Sequence, residues 1–193
     1  MSTRPTYKKS EILRLFRLYF IRYGKSPKPL SWTPDGRLNV DGEVESAQYE
    51  FPDDKFPISF GIVTGDFNVS SLGLTSLEGC PETVGGACYI ASNKIKDLRG
   101  GPKKVNELYM TDLPLLESLE GFPEEIVKVQ LTWSSQMPLL RLLRAKEIVF
   151  DNKNNDSLAV HKILQQYAGQ GKMALFDCQK DLEDAGYPGN AKW

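Results

Sequence analysis

Three cysteines, Cys80, Cys88 and Cys178, and a single histidine, His161, are the side chains of this chain best suited to nucleophilic or metal chemistry. A zinc site needs ligands in closely spaced pairs. No two of these cysteines form a CxxC pair, and His161 lies far in sequence from Cys80 and Cys88. Cys178 has Asp177, Asp181, Glu183 and Asp184 around it, and negative neighbours raise a thiol's pKa and dull it as a nucleophile. The three thiols therefore read as small buried hydrophobes, and their odd number suits a reducing compartment. His161 falls in a helical stretch, where a surface or capping place fits better than catalysis. No P-loop, GxSxG, HExxH or EF-hand pattern occurs. The residues thus predict no enzyme, no catalytic residue, no cofactor and no metal.

With 40% hydrophobic residues in 193, the chain can bury a real core. Its 24 Lys and Arg nearly balance 25 Asp and Glu, so the net charge gives no global reason to seek nucleic acid or an anionic membrane. The charge is unevenly spread. Residues 1–30 hold Arg4, Lys8, Lys9, Arg14, Arg17, Arg22, Lys25 and Lys28 against Glu11 alone, which sets a basic head on an acidic body. No stretch approaches the ~18 apolar residues of a membrane span. Arg14, Arg17 and Arg22 interrupt the apolar run a secretory signal requires, although the head shares the basic amphipathic character of an organellar transit peptide.

The elements that must position any site are set by a repeat. Leu77, Leu98 and Leu119 are 21 residues apart, as are Gly79, Gly100 and Gly121, Pro81, Pro102 and Pro123, and Val84, Val105 and Ile126; Leu74, Ile95 and Leu116 keep the same register. A period in the twenties with leucines at fixed offsets marks an α/β solenoid of the leucine-rich-repeat type, whose units bury their apolar sides only against one another. Four short strands are expected at 66–69, 87–90, 107–110 and 128–131, stacked into one parallel sheet, with a last strand at 147–150. Gly-x-Pro supplies a corner, because Gly permits unusual φ and Pro fixes φ while giving up a donor.

Around this solenoid (60–150) the pattern predicts three further parts. Residues 1–28 carry a basic amphipathic helix over 10–23, with Ile12, Leu13, Leu15, Phe16, Tyr19, Phe20 and Tyr23 on one side and Arg14, Arg17, Arg22 and Lys25 opposite. Leu18 and Ile21 fall on the basic side. Residues 29–59 read as a connector with a short hairpin, or as a degenerate first coil. Residues 151–193 form a helix pair, over 157–168 and 172–185, that covers the open end of the sheet.

Parity assigns the faces. Phe67 and Val69, Cys88 and Ile90, Leu108 and Met110, and Val129 and Leu131 point inward, which leaves Asn68, Tyr89, Tyr109 and Gln130 as an outward ladder. The alternation slips by one residue between the second and third of these strands, where Gly85 and Gly86 give way to Asn106. Exposed aromatics on a rigid sheet anchor interfaces, although two stacked tyrosines also stabilise their own strands. Tyr89 and Tyr109 are therefore the centre of the candidate contact surface, with Asn68 and Gln130 beside them and Trp133 at its edge.

The stretch "LTSLEGCPETVGGACYIASNKIKDLRGGPKKV" resembles the small leucine-rich-repeat-like proteins of tailed bacteriophages, and the ending "GQGKMALFDCQKDLEDAGYPGNAKW" is similar to the tail such proteins carry. The likeness covers about residues 60–193. It departs from the repeat consensus in one respect: the asparagine expected after the strand is present only as Asn93, with Leu72 and Pro114 in the equivalent places. Secreted bacterial ubiquitin ligases also join such repeats to a C-terminal domain with a catalytic cysteine, but the residues after the solenoid here are too few for a domain of ordinary size. The resemblance is silent on activity; taken with the exposed sheet face, it leads to the expectation of a non-catalytic, cytoplasmic protein-binding module that binds and modulates a host protein. The alternatives are nucleic-acid binding by Arg14, Arg17, Arg22 and Lys25 of the basic helix, and a structural virion component.

Overall fold

The structure, a computed structural model, describes residues 8–20, 27–46 and 50–193. It is a parallel β-solenoid of about five turns at a spacing of about 21 residues. Helix α1 (Lys9–Phe20) is followed by strands β1 (Lys28–Trp32), β2 (Leu38–Asp41), β3 (Val44–Glu45), β4 (Phe60–Val63) and β5 (Phe67–Asn68). Then come β6 (Thr83–Tyr89), β7 (Lys104–Met110), β8 (Glu125–Leu131), β9 (Glu147–Phe150), α2 (Asn155–Tyr167) and α3 (Leu175–Asp184). The sheet runs β1-β2-β4-β6-β7-β8-β9, with β3 and β5 continuing the rungs of β2 and β4. Every pairing is parallel except the β1–β2 hairpin.

The sheet begins earlier than the sequence boundary at residue 60. Leu38 pairs with Phe60 and Val44 with Phe67, so 38–45 is the degenerate first coil, and its strand β2 also forms the hairpin with β1. Departure from the repeat hid this rung: it has neither Gly-x-Pro nor the 21-residue offset, yet Leu38, Val40 and Val44 are fully buried. Strands β6, β7 and β8 also start three to four residues earlier than expected, just after the Pro corner, whereas β9 occupies 147–150 as expected.

That corner is built the same way in each coil. Leu77, Leu98 and Leu119 accept backbone hydrogen bonds from Cys80, Gly101 and Phe122 at 2.9–3.0 Å, and Gly79, Gly100 and Gly121 take φ of +107°, +81° and +89°. A positive φ at the third position is what a type II turn requires. Close stacking adds a second demand at Gly121, where a Cβ would lie 2.3 Å from the Leu98 carbonyl oxygen of the coil beneath. The corner after each strand uses Ser71, Ser92 and Asp112, all at φ of +52° to +60°.

One hydrophobic core runs the length of the solenoid. At its N-terminal end Phe16 and Phe20 of α1 join Phe51, Phe56, Phe60 and Phe67 in a chain of ring contacts with centroids 5.0–6.2 Å apart. Ile12, Leu13, Leu15 and Tyr19 pack partly against the core, as their helical spacing predicts, whereas Leu18 is exposed. Asn93, 1% exposed, bridges coils: its Oδ1 accepts from the amides of Leu72 (3.1 Å) and Leu74 (3.0 Å), and its Nδ2 donates to the carbonyls of Val69 and Ile90 (2.9 Å each). In the next coil Pro114 cannot reach back in this way, and Leu116 there is half-buried where Leu74 and Ile95 are fully buried.

At the other end α2 lies along β9. Gln165 accepts from the Ile148 amide through Oε1 and donates to the Lys146 carbonyl through Nε2, both at 3.1 Å. His161 Nε2 sits 2.7 Å from the Ile148 carbonyl oxygen, a contact that requires the proton on Nε2. The only imidazole is thus occupied with an edge strand's backbone. Helix α2 begins with a capping box between Asn154 and Ser157, and α3 packs on α2 and on the 3₁₀ turn Leu140–Arg144.

Candidate functional site

The outward ladder is in register. Glu45 pairs with Asn68, Asn68 with Tyr89, Tyr89 with Tyr109, Tyr109 with Gln130 and Gln130 with Val149. All are partly exposed, while the inward partners Phe67, Cys88, Leu108 and Val129 are buried. The one-residue slip is a bulge in β6: Val84 pairs with Val105 and Ala87 with Glu107, so Gly85 and Gly86 together oppose Asn106. The bulge needs glycine at Gly85, because a Cβ there would lie 2.1 Å from the Thr64 carbonyl oxygen. Without that extra residue Tyr89 and Tyr109 would fall on opposite faces.

The two rings stack with centroids 4.7 Å apart and planes 11° from parallel. A stacked pair of this kind contributes about 0.5–1.5 kcal/mol beyond area burial. Tyr109 also donates its hydroxyl to Glu107 Oε2 at 2.5 Å. That hydrogen bond, with burial second, pushes the Tyr109 phenol up to about 12. The Tyr89 phenol is also raised, by burial first and then by the negative charges of Asp66, Glu107 and Glu43. Both rings are neutral hydroxyl-bearing platforms at any physiological pH.

A second row, two residues earlier in each strand, borders the ladder and was missed by reading apolar residues alone. It runs Asp66, Ala87, Glu107, Lys128 and Glu147, with Glu43 one residue before β3. Lys128 Nζ lies 3.9 Å from Glu107, 3.7 Å from Glu147 and 6.0 Å from the centre of the Tyr109 ring. Asp66 Oδ1 accepts from the Ala87 amide at 2.8 Å. The signal was present in the sequence as charged residues at the same parity as the tyrosines.

Trp133 stands apart from this face. Its indole packs partly against the core and its Nε1 donates to Asn190 Oδ1 at 3.3 Å, while its amide and carbonyl bond the Asn152 side chain. Arg14 and Arg17 are exposed on α1; Arg22, Lys25, Tyr23 and Ile21 lie outside the described residues. The sequence-predicted nucleic-acid set is therefore placed only in part, on a different element from the ladder.

The thiols are buried. Burial, and next the neighbouring Cys88, raises Cys80 well above the ordinary thiol value. Cys178 is pushed up to about 12 by burial first and by Asp181 second, the reverse of the weight that acidic neighbours alone suggest. Among the described residues no group of three or more His, Cys, Asp and Glu is arranged to hold a metal ion. No helix among them is long and apolar enough to cross a membrane.

A shallow groove of about 520 Å³ follows the glycine corners. Its charges alternate from coil to coil. Arg37, Glu82 and Lys103 form one chain of pairs, at 3.0 Å and 2.6 Å, and Arg99 reaches Glu120 at 4.0 Å. Arg141 and Arg144 stack on the Trp193 ring, 5.1 Å and 5.4 Å from its centre. These cations are largely answered within the chain, and the groove behaves as a fastening between coils.

Set against known proteins, the chain matches no family model, no curated protein and no solved structure.

Proposed function

We propose that this protein is a non-catalytic binding module whose partner is a protein docking on the outer face of the sheet, around Tyr89 and Tyr109 and flanked by Asn68 and Gln130. The observation that supports the reading is the stacked tyrosine pair, held in register on a flat, rigid, solvent-facing sheet by a bulge at Gly85 and Gly86. Large rigid aromatics with polar tips lose little side-chain entropy on contact and dominate interface energetics. On the resemblance to phage-encoded repeat proteins, the partner is a host protein and the module works in the host cytoplasm. At the C-terminal end α2 keeps the ribbon from recruiting a further strand, since it satisfies the β9 edge through His161 and Gln165.

The test compares the wild type with a Tyr89→Ala/Tyr109→Ala variant as baits in a lysate of the host, with a photo-crosslinking residue at position 130 in each. The expected result is a polypeptide that crosslinks at position 130 to the wild type and is lost from the variant, while the melting temperature changes by only a few degrees. A crosslinked polypeptide retained by the variant refutes the sheet face as the contact.

Nucleic-acid binding by α1 has one observation in its favour, the exposure of Arg14 and Arg17. It predicts a gel shift whose affinity falls steeply with salt and on Arg14→Ala/Arg17→Ala substitution.

A further inference from the structure

Single apolar side chains on a protein surface are ordinary, but two large ones side by side make a patch. Met173 is 92% and Phe176 79% exposed, the two most exposed large hydrophobics among the described residues. They lie three residues apart, where the 3₁₀ turn Gly171–Ala174 runs into α3, and so share one side. That segment is anchored, since Ala174 is buried and Leu175 packs partly against the core. Cys178 and Leu182 fill the inner side of α3. Met173 and Phe176 therefore face away from the solenoid, beside the exposed Asp177 and, two turns on, Asp184.

The other end of the ribbon has the complementary charge. Arg14 and Arg17 are exposed on α1, whose inner side holds Phe16 and Phe20. Lys9 Nζ lies 5.4 Å from the centre of the Trp32 ring, which sets β1 beside the first turn of this helix, and β1 leaves Leu30 61% exposed. Helix α1 carries Lys9, Arg14 and Arg17 against Glu11 alone. Helix α3 and its leading turn carry Asp177, Asp181, Glu183 and Asp184 against Lys172 and Lys180. The coils of the sheet, at about 4.8 Å per rung, separate the two ends, so they do not meet within one molecule. Pairing two α3 helices of different molecules would set acid against acid, whereas α3 against α1 sets acid against base.

We propose that copies of this chain associate end to end, Met173 and Phe176 of one seating against α1 and β1 of the next, around Leu30, with Asp177 and Asp184 toward Arg14 and Arg17. The contact is heterologous, so each pairing leaves an open head and an open tail and the series continues past two chains. Two side chains do not fill the roughly 800 Å² per partner of a stable interface, so the association is weak and concentration-dependent. It involves neither Tyr89 nor Tyr109 and stands apart from the sheet-face reading.

Sedimentation equilibrium of the full chain, between about 10 and about 500 µM and at about 50 and about 300 mM NaCl, tests it. The wild type is expected to rise past twice its monomer mass of 21.7 kDa at the upper concentrations, and less so at high salt. Arg14→Glu/Arg17→Glu spoils only the head and Met173→Ser/Phe176→Ser only the tail. Each variant alone is expected to stay monomeric. Their equimolar mixture is expected to form a species of two chains and no more, because one intact head meets one intact tail. A benzophenone side chain at position 176 of an otherwise unchanged copy reads the contact even where a variant is destabilised; mixed with isotope-labelled wild type, it is expected to crosslink to the labelled 8–32 segment. A wild type that stays monomeric or stops at two chains, a variant that associates on its own, or a mixture that stays monomeric overturns the inference. So does a crosslink to the labelled 171–184 segment in place of 8–32, or none at concentrations where the mass has risen.

Discussion

Replacing Asn93 by Ala strips four buried backbone groups of their partners at once. The amides of Leu72 and Leu74 lose Oδ1, and the carbonyls of Val69 and Ile90 lose Nδ2. Each orphaned group costs about 1 kcal/mol at the low end of the usual range, and at 1% exposure water does not reach Asn93 without rearrangement. The expected loss is therefore about 3–4 kcal/mol, or about 6–16 °C in melting temperature for a chain of this size. Urea denaturation with an unchanged m-value reads it directly. Asn93→Asp separates hydrogen bonding from packing. The carboxylate keeps the acceptor for Leu72 and Leu74 but turns an acceptor toward the carbonyls of Val69 and Ile90, and burial favours its protonated form. The folded pKa of the new acid is then raised above its unfolded value. Its relative stability is highest below the unfolded pKa and falls as pH rises through the folded one. A loss below about 1 kcal/mol for Asn93→Ala, or an Asn93→Asp variant indifferent to pH, refutes the role of this side chain as the bridge between coils.

The glycine corners give a matched pair. Gly121→Ala meets both a left-handed φ and a backbone oxygen 2.3 Å away, whereas Gly36→Ala has φ of +85° and nothing within 4 Å of its Cβ. Gly36→Ala should cost only the conformational ~1–2 kcal/mol, and Gly121→Ala clearly more in the same denaturation assay. Tyr109 and Tyr167, hydrogen-bonded to Glu107 and Asp181, are both pushed up to about 12. Absorbance at ~295 nm should show Tyr109 and Tyr167 among the last of the eight tyrosines to ionise in the folded protein, with Tyr89 and Tyr187, also raised, delayed beyond the free phenols. Because the folded pKa values of Tyr109 and Tyr167 lie above the unfolded one, the stability they contribute is complete below ~pH 10 and is lost as pH climbs toward 12. Tyr109→Phe and Tyr167→Phe should each remove one late-titrating group.

The regular coils were legible because three of their demands are residue-specific. A third-position turn φ calls for Gly, the following corner for Pro, and the buried arc for Leu, so Gly79, Pro81 and Leu77 recur as letters in the sequence. Where the same geometry is met by interchangeable residues the pattern vanished. The first rung packs Leu38, Val40 and Val44 against the next without the Gly-x-Pro letters, so the sequence offered a degenerate coil only beside a hairpin, and the parallel pairings decide for the coil. The other corner, at Ser71, Ser92 and Asp112, also went unread, since small polar residues in the left-handed region look like any loop.

For the site, alternation located the ladder because inward positions are apolar, and the glycine pair marked the slip. Trp133 also has a structural use: a tryptophan after a strand has the size of an interface anchor, and its indole N–H here donates to the buried Asn190. Asn190 itself donates to the carbonyls of Ser134 and Met137 at 2.9 Å, which ties the C-terminal tail to the last arc. The carboxylate row shows the opposite limit. Glu43, Asp66 and Glu107 are 23 and 41 residues apart, an irregular spacing in sequence. They align only because the first rung lengthens one interval beyond the 21-residue period and the bulge in β6, absent from β7, shortens the other. A periodic search rewards positions that repeat, whereas this row is assembled where the repeat is broken.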